Sequence, residues 1–499
     1  MSGDNVYNLL PSPAALIESL RAIGYSTETS IADIIDNSIT AKSTLIDIFF
    51  EWNNGQPWVL IVDNGCGMSR EELISAMRFG SQSPNTFRSD DDLGRFGLGM
   101  KTASFSQCRK LLVVSWQKGI TNAAEWDLDW LIAEQANNWN LRLPTLEEIS
   151  HYEPVRRTLA EKQTCKNEGT LIFWHKLDKF ELAGADNNED AFDETMASVR
   201  KHLELVFHRF LENNLKKNRL KICMNNSDLV PFNPFCTGNN ATQELPKQDF
   251  LIGGERVEVQ PYVLPHHNKI SKQEWDRFAG QEGYLHNQGF YVYRNRRLII
   301  KGTWFKLLKK EELNKLIRVR VDISNKLDHL WNIDVKKSKA TPPESIKREL
   351  KKIINRIEVA GRKVYRQRGQ TLRTSLIPLW NRRVANGQIF FEINQEHPVL
   401  QSFIKHLSPE RTNEFEACLN AIESAFPVDT IYHDYASAPE ELQKTGLSEN
   451  NLYLLLDRYI MYAKESGRVD FNELKDMEIF AGNSDLVKKY LEERHDIII

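Results

Sequence analysis

Apolar positions at the start of the chain recur at the spacing of helices. Residues 14–23 and residues 30–39 each show this period. Pro13 suits the beginning of the first helix, and Thr29 or Ser30 suits the beginning of the second. The pattern therefore predicts a helix, a turn and a second helix.

Short apolar runs then replace the helical period. Residues 45–50 and 58–62 flank Asn53-Asn54-Gly55, which predicts two antiparallel strands joined by a tight turn. Two further runs, at residues 110–116 and 170–174, extend the strand pattern. Helices combined with an antiparallel or mixed sheet predict an α+β sandwich.

Later changes in the pattern predict a second domain. A polar, acidic stretch at residues 186–193 precedes an amphipathic helix at residues 197–213, so a boundary is expected near residue 185. The second domain is expected to be α/β and to end at Thr341-Pro342-Pro343. Its best strand patterns lie at residues 289–293, 297–300 and 316–322.

The most basic stretch of the chain lies between Lys347 and Arg373. It holds ten Lys or Arg residues against two Glu residues, and the spacing of its apolar positions fits one helix: Ile346, Leu350, Ile354 and Ile357. This helix could neutralise DNA phosphates, or it could be a solvated helix paired with acidic neighbours. Beyond Pro378 the pattern is mostly helical. The expected domains are residues 1–185, 186–345, 346–374 and 375–499.

Composition places the chain among ordinary globular proteins. It has 499 residues, of which 41% are hydrophobic and 27% charged, and its formal net charge is -3 at pH 7. The six cysteines are scattered without a C-x-x-C pair, which argues against a zinc site and a disulfide framework. A signal-peptide pattern and an apolar run of the ~18 residues that span a bilayer are both lacking, so a cytoplasmic location is expected.

The first chemical motif is an acid and an amide on the predicted second helix. Asp33 and Asn37 lie four residues apart, so they share a helix face. An acid can accept a proton from an attacking water, and an amide oxygen can join the oxygen shell of Mg²⁺. Taken alone, such a pair is more often simply solvated.

The second motif, Asp63-Asn64-Gly65-Cys66-Gly67-Met68, follows a predicted buried strand. Its two glycines let the backbone turn sharply and approach a flat ligand, and its first carboxylate can accept a base amino group. A plain hairpin turn is an equally good interpretation of this motif by itself.

The third motif is Gly94-Arg95-Phe96-Gly97-Leu98-Gly99-Met100-Lys101, which opens a predicted helix. Exposed amide groups, a helix start and a lysine together make a phosphate cradle. The motif lacks the endings typical of a P-loop or a dinucleotide fold, so its specificity comes from its place after the other two.

In this order and spacing the three motifs resemble the Bergerat ATP-binding fold of the GHKL superfamily (gyrase, heat-shock chaperone, histidine kinase, MutL). Arg78-Phe79-Gly80-Ser81 and the F-G-x-G-x-K form that ends at Lys101 resemble most closely the MORC-type ATPases, including bacterial ones. The resemblance is strong over residues 10–180 and weak over residues 185–345.

The resemblance implies ATP and Mg²⁺ as ligands and assigns roles to residues. Asp33 takes the place of the general base, Asn37 that of the magnesium ligand, and Asp63 that of the acceptor for the adenine amino group. Further nucleotide-binding positions are implied at Gly67, Met68, Gly80, Ser81, Gly94, Arg95, Phe96, Gly97, Leu98, Gly99, Met100, Lys101 and Thr170.

Two departures from the family pattern bear on hydrolysis. The family's base is normally Glu, and Asp33 is one methylene shorter, so slow turnover is expected. Thr40 stands where many relatives have Asp.

The second domain resembles a transducer domain at two places. Residues 332–339 resemble the loop that donates a lysine to the γ-phosphate, which implies Lys339 in that role with Lys336 and Lys337 as substitutes. Residues 293–297 resemble the V-N-x-R turn. The alternatives are a solvated lysine turn and a basic hairpin turn that serves solubility.

The family resemblance predicts an ATP-gated homodimeric clamp on DNA, closed by an N-terminal strap at residues 1–13. A bacterial restriction or anti-phage system, with a protein partner from the same operon, is the implied setting. A chaperone-like ATPase acting on protein and an ATP sensor that scarcely hydrolyses are the alternatives.

Overall fold

The structure is a computed structural model, and it divides the chain into two compact units, residues 1–361 and 362–499. The described residues are 11–22, 24–80, 99–134, 138–163, 168–178, 188–212, 220–328, 330–331, 342–354, 356, 376–385, 388–437, 446–465 and 471–495.

The first sheet of unit one has seven strands within the described residues. They are β1 (Leu45–Glu51), β2 (Trp58–Asp63), β3 (Lys110–Gln117), β4 (Ile120–Asp127), β5 (Gly169–His175), β6 (Lys221–Met224) and β7 (Ser227–Asp228). Their order is β4-β3-β5-β2-β1-β6-β7, antiparallel except for the parallel pair β1 and β6. Strands β6 and β7, which come after residue 185, also belong to this sheet, so the sheet extends past the boundary expected near that residue.

Helices cover both faces of the first sheet. They are α1 (Pro13–Arg21), α2 (Thr27–Thr40), α3 (Arg70–Met77), α4 (Gly99–Phe105), α5 (Leu128–Ala133), α6 (Leu146–Ser150), α7 (Glu153–Gln163), α8 (Asn188–Val206) and α9 (His208–Leu211). Side chains of β2 alternate between two apolar cores, with Val59 and Ile61 facing α2 and α8, and Leu60 and Val62 facing α6 and α7. This two-sided burial makes β2 a rigid support for the loop that follows it.

Two predicted helix starts were wrong. Helix α2 begins at Thr27 rather than at Thr29 or Ser30, because the Ser26 hydroxyl accepts a hydrogen bond from the Thr29 amide and caps the helix there. Helix α8 begins at Asn188 rather than near residue 197, because the acidic stretch forms its first turns. The predicted tight turn at residues 53–55 is a short 3-10 turn between the antiparallel strands β1 and β2.

The second sheet lies in the same unit. Its strands are β8 (Gln243–Glu244), β9 (Gln248–Ile252), β10 (Glu255–Val263), β11 (Gly289–Arg294), β12 (Arg297–Thr303) and β13 (Ile317–Ile323), in the order β12-β11-β13-β10-β8, and β9 also pairs with β10. It is accompanied by α10 (Lys272–Ala279), α11 (Gly283–Asn287), α12 (residues 344–354) and 3-10 turns at His267–Lys269, Glu312–Asn314 and Asn325–Leu327.

Helix α12 is the described part of the basic stretch. Its predicted apolar positions Ile346, Leu350 and Ile354 are buried in the core of the second sheet, whereas Ile357 lies outside the described residues. The helix therefore serves the fold on one face and presents its charge on the other.

Unit two is mostly helical, as predicted, and it opens with a hairpin of β14 (Trp380–Ala385) and β15 (Gln388–Ile393). Its helices are α13 (Pro398–Ile404), α14 (Pro409–Ser424), α15 (Val428–Ser437), α16 (Glu449–Glu465), α17 (Phe471–Asp476), α18 (Glu478–Ala481) and α19 (Ser484–His495). The predicted α+β fold is confirmed. Within the described residues, every helix is too short or too polar to cross a membrane.

Candidate functional site

Asp33 lies in a buried part of α2, where its side chain is 3% exposed. The Tyr25 hydroxyl donates to its Oδ2 over 3.3 Å. Gly99, which begins α4, is so close that a Cβ built on it would lie 3.8 Å from the same oxygen. The acid therefore faces the helix start that ends the glycine-rich motif, where backbone amides point outward.

Asn37 is one turn further along α2 and is exposed. The two predicted partners thus differ in environment, because the acid is enclosed and the amide is open to solvent. An exposed amide oxygen beside a buried carboxylate fits a metal that keeps most of its ligands as water and phosphate.

Asp63 ends β2 and is held by three hydrogen bonds. The Ser38 hydroxyl donates to its Oδ2 over 2.7 Å, the Gly65 amide donates to its Oδ1 over 2.8 Å, and the Thr170 backbone donates as well. Burial raises the pKa of the Asp63 carboxyl, and these three donors oppose that rise. The donors also fix the orientation of the carboxylate, which prepares it to accept a base amino group.

Gly67 shows why the loop after β2 needs glycine. Its φ is +64°, and a Cβ at this position would lie 2.2 Å from the Trp116 carbonyl oxygen. Gly65 is similarly restricted, since its Cβ would lie 2.8 Å from the Ala41 side chain. The backbone therefore packs closely against both β3 and the end of α2.

Ser115 joins the loop to the sheet. Its hydroxyl accepts a hydrogen bond from the Met68 amide over 2.8 Å and lies 3.0 Å from the Thr170 hydroxyl. Thr170 in turn pairs directly with Asp63 across β5 and β2. The sheet thus brings together, at one end of its central strands, three residues that were predicted to bind nucleotide: Met68, Asp63 and Thr170.

Some of the remaining predicted positions lie within the described residues and others lie outside them. Gly80 has a φ of +69°, and among the described residues no atom beyond its chain neighbours lies within 4 Å of a Cβ built on it. Gly99 and Met100 form the first turn of α4. Outside the described residues lie Ser81, Gly94, Arg95, Phe96, Gly97, Leu98, Lys336, Lys337 and Lys339.

Comparison with known proteins agrees with this geometry. Residues 25–162 match the family of histidine kinase-, DNA gyrase B- and HSP90-like ATPases. ATPase morc-1 of Caenorhabditis elegans is 33% identical over 342 residues, which cover 60% of this chain and 36% of the nematode protein. Residues 25–162 therefore match a GHKL-type ATPase domain, and the nematode relative is an ATPase of the MORC type.

A second relative is similar over a shorter segment. ATPase MORC2B of Mus musculus is 35% identical over 78 residues, which cover 15% of this chain and 8% of the mouse protein. In both comparisons the chain matches well under half of the length of the relative.

Within this GHKL domain, Lys101 of the third motif is buried and hydrogen-bonded to the end of α3. Its Nζ donates to the Ala76 carbonyl over 2.6 Å, and the side chain is 2% exposed. Burial lowers the pKa of the ammonium to about 8. The lysine binds the carboxyl end of α3, where free carbonyl groups attract a positive charge.

Sequence reasoning missed several residues of the GHKL site. Ser38 directly follows Asn37 of the first motif, and this position was the one sign in the sequence of its contact with Asp63. No sequence pattern pointed to Ser115 or Tyr25. Ser115 comes to the site through the pairing of β3 with β5, and Tyr25 through its packing against α2.

Arg297 was predicted as part of a turn that resembles V-N-x-R, with a basic turn that serves solubility as the alternative. The structure places its Nη2 3.8 Å from Asp33 Oδ1 and its Nε 2.8 Å from the Asp36 carboxylate. Arg297 and Arg294 are each 4% exposed, so the solubility interpretation is wrong for both.

Proposed function

We propose that this protein binds ATP at the edge of its first sheet and hydrolyses it with Asp33 as general base. The observation that carries the proposal is the oriented carboxylate of Asp63, which two strands and α2 hold beside the close-packed turn at Gly67. If a flat base stacks on that turn, its amino group can donate a hydrogen bond to the fixed carboxylate of Asp63.

The place of Asp33 supports the hydrolytic step. It is buried, and it lies beside the start of α4, where the glycine-rich motif ends. A carboxylate in that position can take a proton from a water that attacks a bound phosphate. The side chain is shorter than the Glu usual in the family, so the water must come closer to α2. Slow turnover is the expected consequence.

Asn37 is the proposed magnesium ligand. The described residues contain no group of three His, Cys, Asp or Glu side chains that could hold a metal ion alone. Mg²⁺ in nucleotide sites usually takes one or two protein oxygens together with phosphates and water, so a single exposed amide fits it. When bound, the ion neutralises phosphate charge.

The test separates binding from turnover. ATP turnover and nucleotide affinity are measured for the wild type, Asp33→Asn and Glu28→Gln, the last being a matched acid-to-amide change on the same helix. We expect Asp33→Asn to keep nucleotide affinity and to lose turnover, whereas Glu28→Gln keeps both. Nucleotide binding with no turnover in the wild type would refute hydrolysis and favour the ATP sensor.

DNA is the proposed macromolecular ligand of the basic stretch. On α12, Arg348, Lys351 and Lys352 are exposed, opposite the buried apolar face. Lys352 also pairs with Glu349 over 2.7 Å, so part of this charge is compensated locally. A cluster of this kind binds phosphates without reading sequence.

Duplex binding tests this part of the proposal. Arg348→Ala combined with Lys351→Ala should weaken affinity for duplex DNA and reduce its salt dependence. Lys488→Ala combined with Lys489→Ala, two exposed lysines on α19, is the matched control. Equal affinity of both double variants would argue against α12 as the DNA contact and leave the chaperone-like alternative.

Dimerisation on nucleotide binding completes the proposed clamp. Sedimentation of the chain with a non-hydrolysable ATP analogue should show a dimer, and without nucleotide a monomer. A monomer in both conditions would rule out a nucleotide-gated clamp. The restriction or anti-phage setting follows only from the resemblance to bacterial MORC-type proteins, and it stays a prediction.

A further inference from the structure

Two buried arginines flank the tight turn between β11 and β12. Asn295 and Arg296 form the turn with positive φ values of 47° and 70°, and Arg294 and Arg297 flank it. Within the described residues, β12 lies at one edge of the second sheet, and it contacts α8, one of the helices that cover the first sheet. The two arginines use this position differently.

Arg294 forms an ion pair within its own part of the fold. Its Nε lies 2.8 Å and 2.9 Å from the two oxygens of Asp328, and its Nη2 lies 2.7 Å from the second of them. Asp328 follows β13 in the same sheet. This ion pair secures the second sheet and does not reach α2.

Arg297 connects the second sheet to α2. Its Nε lies 2.8 Å from the carboxylate of Asp36, which is 261 residues away in the chain. Its Nη1 donates to the Leu298 carbonyl over 3.0 Å, and its guanidinium lies 5.8 Å from the centre of the Phe207 ring. These contacts leave the guanidinium little freedom to move independently of β12.

The remaining nitrogen of Arg297, Nη2, is the one near Asp33. The three charged side chains are 1%, 3% and 4% exposed for Asp36, Asp33 and Arg297 respectively. One guanidinium therefore serves two buried carboxylates, and a buried charge is stable only while its partner stays in place. A displacement of β12 relative to α2 must consequently be accommodated at Asp33 or Asp36.

We propose that Arg297 is a positioning residue that couples the second sheet to the hydrolytic base Asp33. The inference rests on the proposed function, because it assigns the base to that residue. Arg297 donates a hydrogen bond to Asp36 and attracts Asp33 through its charge at 3.8 Å, so the placement of the second sheet affects the alignment of the base. Nucleotide affinity depends on the Asp63 side of the site, which this ion pair does not touch.

The test compares Arg297→Lys with Arg294→Lys. Each variant keeps a positive charge, but a lysine presents one point charge and cannot hold two carboxylates in fixed directions. We expect Arg297→Lys to lower kcat about tenfold or more, while nucleotide Kd stays within about twofold of the wild type. Arg294→Lys, in which the altered ion pair lies within the second sheet, should keep kcat within about twofold at a similar loss of thermal stability.

Three kinds of result would test whether Arg297 couples the second sheet to Asp33. A wild-type kcat in Arg297→Lys, or equal losses of kcat in the two variants, would overturn the coupling role and leave a purely structural ion pair. A loss of kcat that is matched by a loss of nucleotide affinity would overturn it as well. Should Arg297→Lys fold poorly, Asp36→Asn tests the same link, because it removes the carboxylate to which Arg297 donates, and its kcat should fall while nucleotide Kd stays within about twofold of the wild type. Failure of the proposed function is distinguishable, because then the wild type itself shows no turnover that depends on Asp33.

Discussion

Replacement of Gly67 by alanine should damage the nucleotide site. The residue has a φ of +64°, and a Cβ would lie 2.2 Å from the Trp116 carbonyl oxygen and 3.3 Å from the Gln117 Cβ. The loop must therefore retreat from β3 by about 1 Å to restore ordinary contact. Hydrogen bonds of Gly65 to Asp63 and of Met68 to Ser115 anchor both sides of the loop, so such a shift strains one of them.

The size of the effect follows from two contributions. A left-handed backbone costs an alanine about 1–2 kcal/mol relative to glycine, and forcing a methyl group into a packed contact costs about 1–3 kcal/mol more. We expect Gly67→Ala to lower the free energy of unfolding by about 2–5 kcal/mol. Gly119, in the turn between β3 and β4, is the control, because its φ is +79° but no atom of the described residues beyond its chain neighbours lies within 4 Å of a Cβ built on it. Gly119→Ala should lose only the backbone part, about 1–2 kcal/mol.

Chemical denaturation followed by circular dichroism measures both losses, and nucleotide titration measures the site. Gly67→Ala should bind ATP more weakly than the wild type even where it is fully folded, and Gly119→Ala should bind normally. If Gly67→Ala is destabilised no more than Gly119→Ala and binds ATP like the wild type, the close approach of the loop to β3 is not a requirement of the site.

Two further predictions concern titration at buried groups. Burial raises the pKa of Asp63, so this carboxyl should take up a proton at a pH where an exposed carboxyl is still charged. Nucleotide affinity should therefore fall as the pH drops through that pKa. In the same titration, Asp63→Asn should bind nucleotide weakly at every pH. Lys101 has a pKa lowered to about 8, so the folded protein releases this proton more easily than the unfolded chain, and stability should rise between pH 8 and 10. Lys101→Met should lack that rise in denaturation curves and be more stable at pH 7 by up to about 3 kcal/mol, and a wild-type pH dependence in this variant would refute the assignment.

The sequence determined the parts of this protein that depend on neighbours along the chain. The period of α2 and the apolar run of β2 placed Asp33 and Asp63 correctly on a helix and at the end of a buried strand. The glycines after β2 were predicted to allow a close approach, and Gly67 requires it. Such features follow from local conformational preference and from the alternation of buried side chains, which a sequence displays directly.

Only the tertiary structure decided which distant groups satisfy the buried charges. Ser115 reaches the site because β3 pairs with β5, and Lys101 meets the Ala76 carbonyl because the fold brings α4 close to the end of α3. Arg297 meets Asp36 across 261 residues. A charge removed from water must find a partner wherever the fold supplies one, and that choice depends on packing between elements rather than on spacing within them.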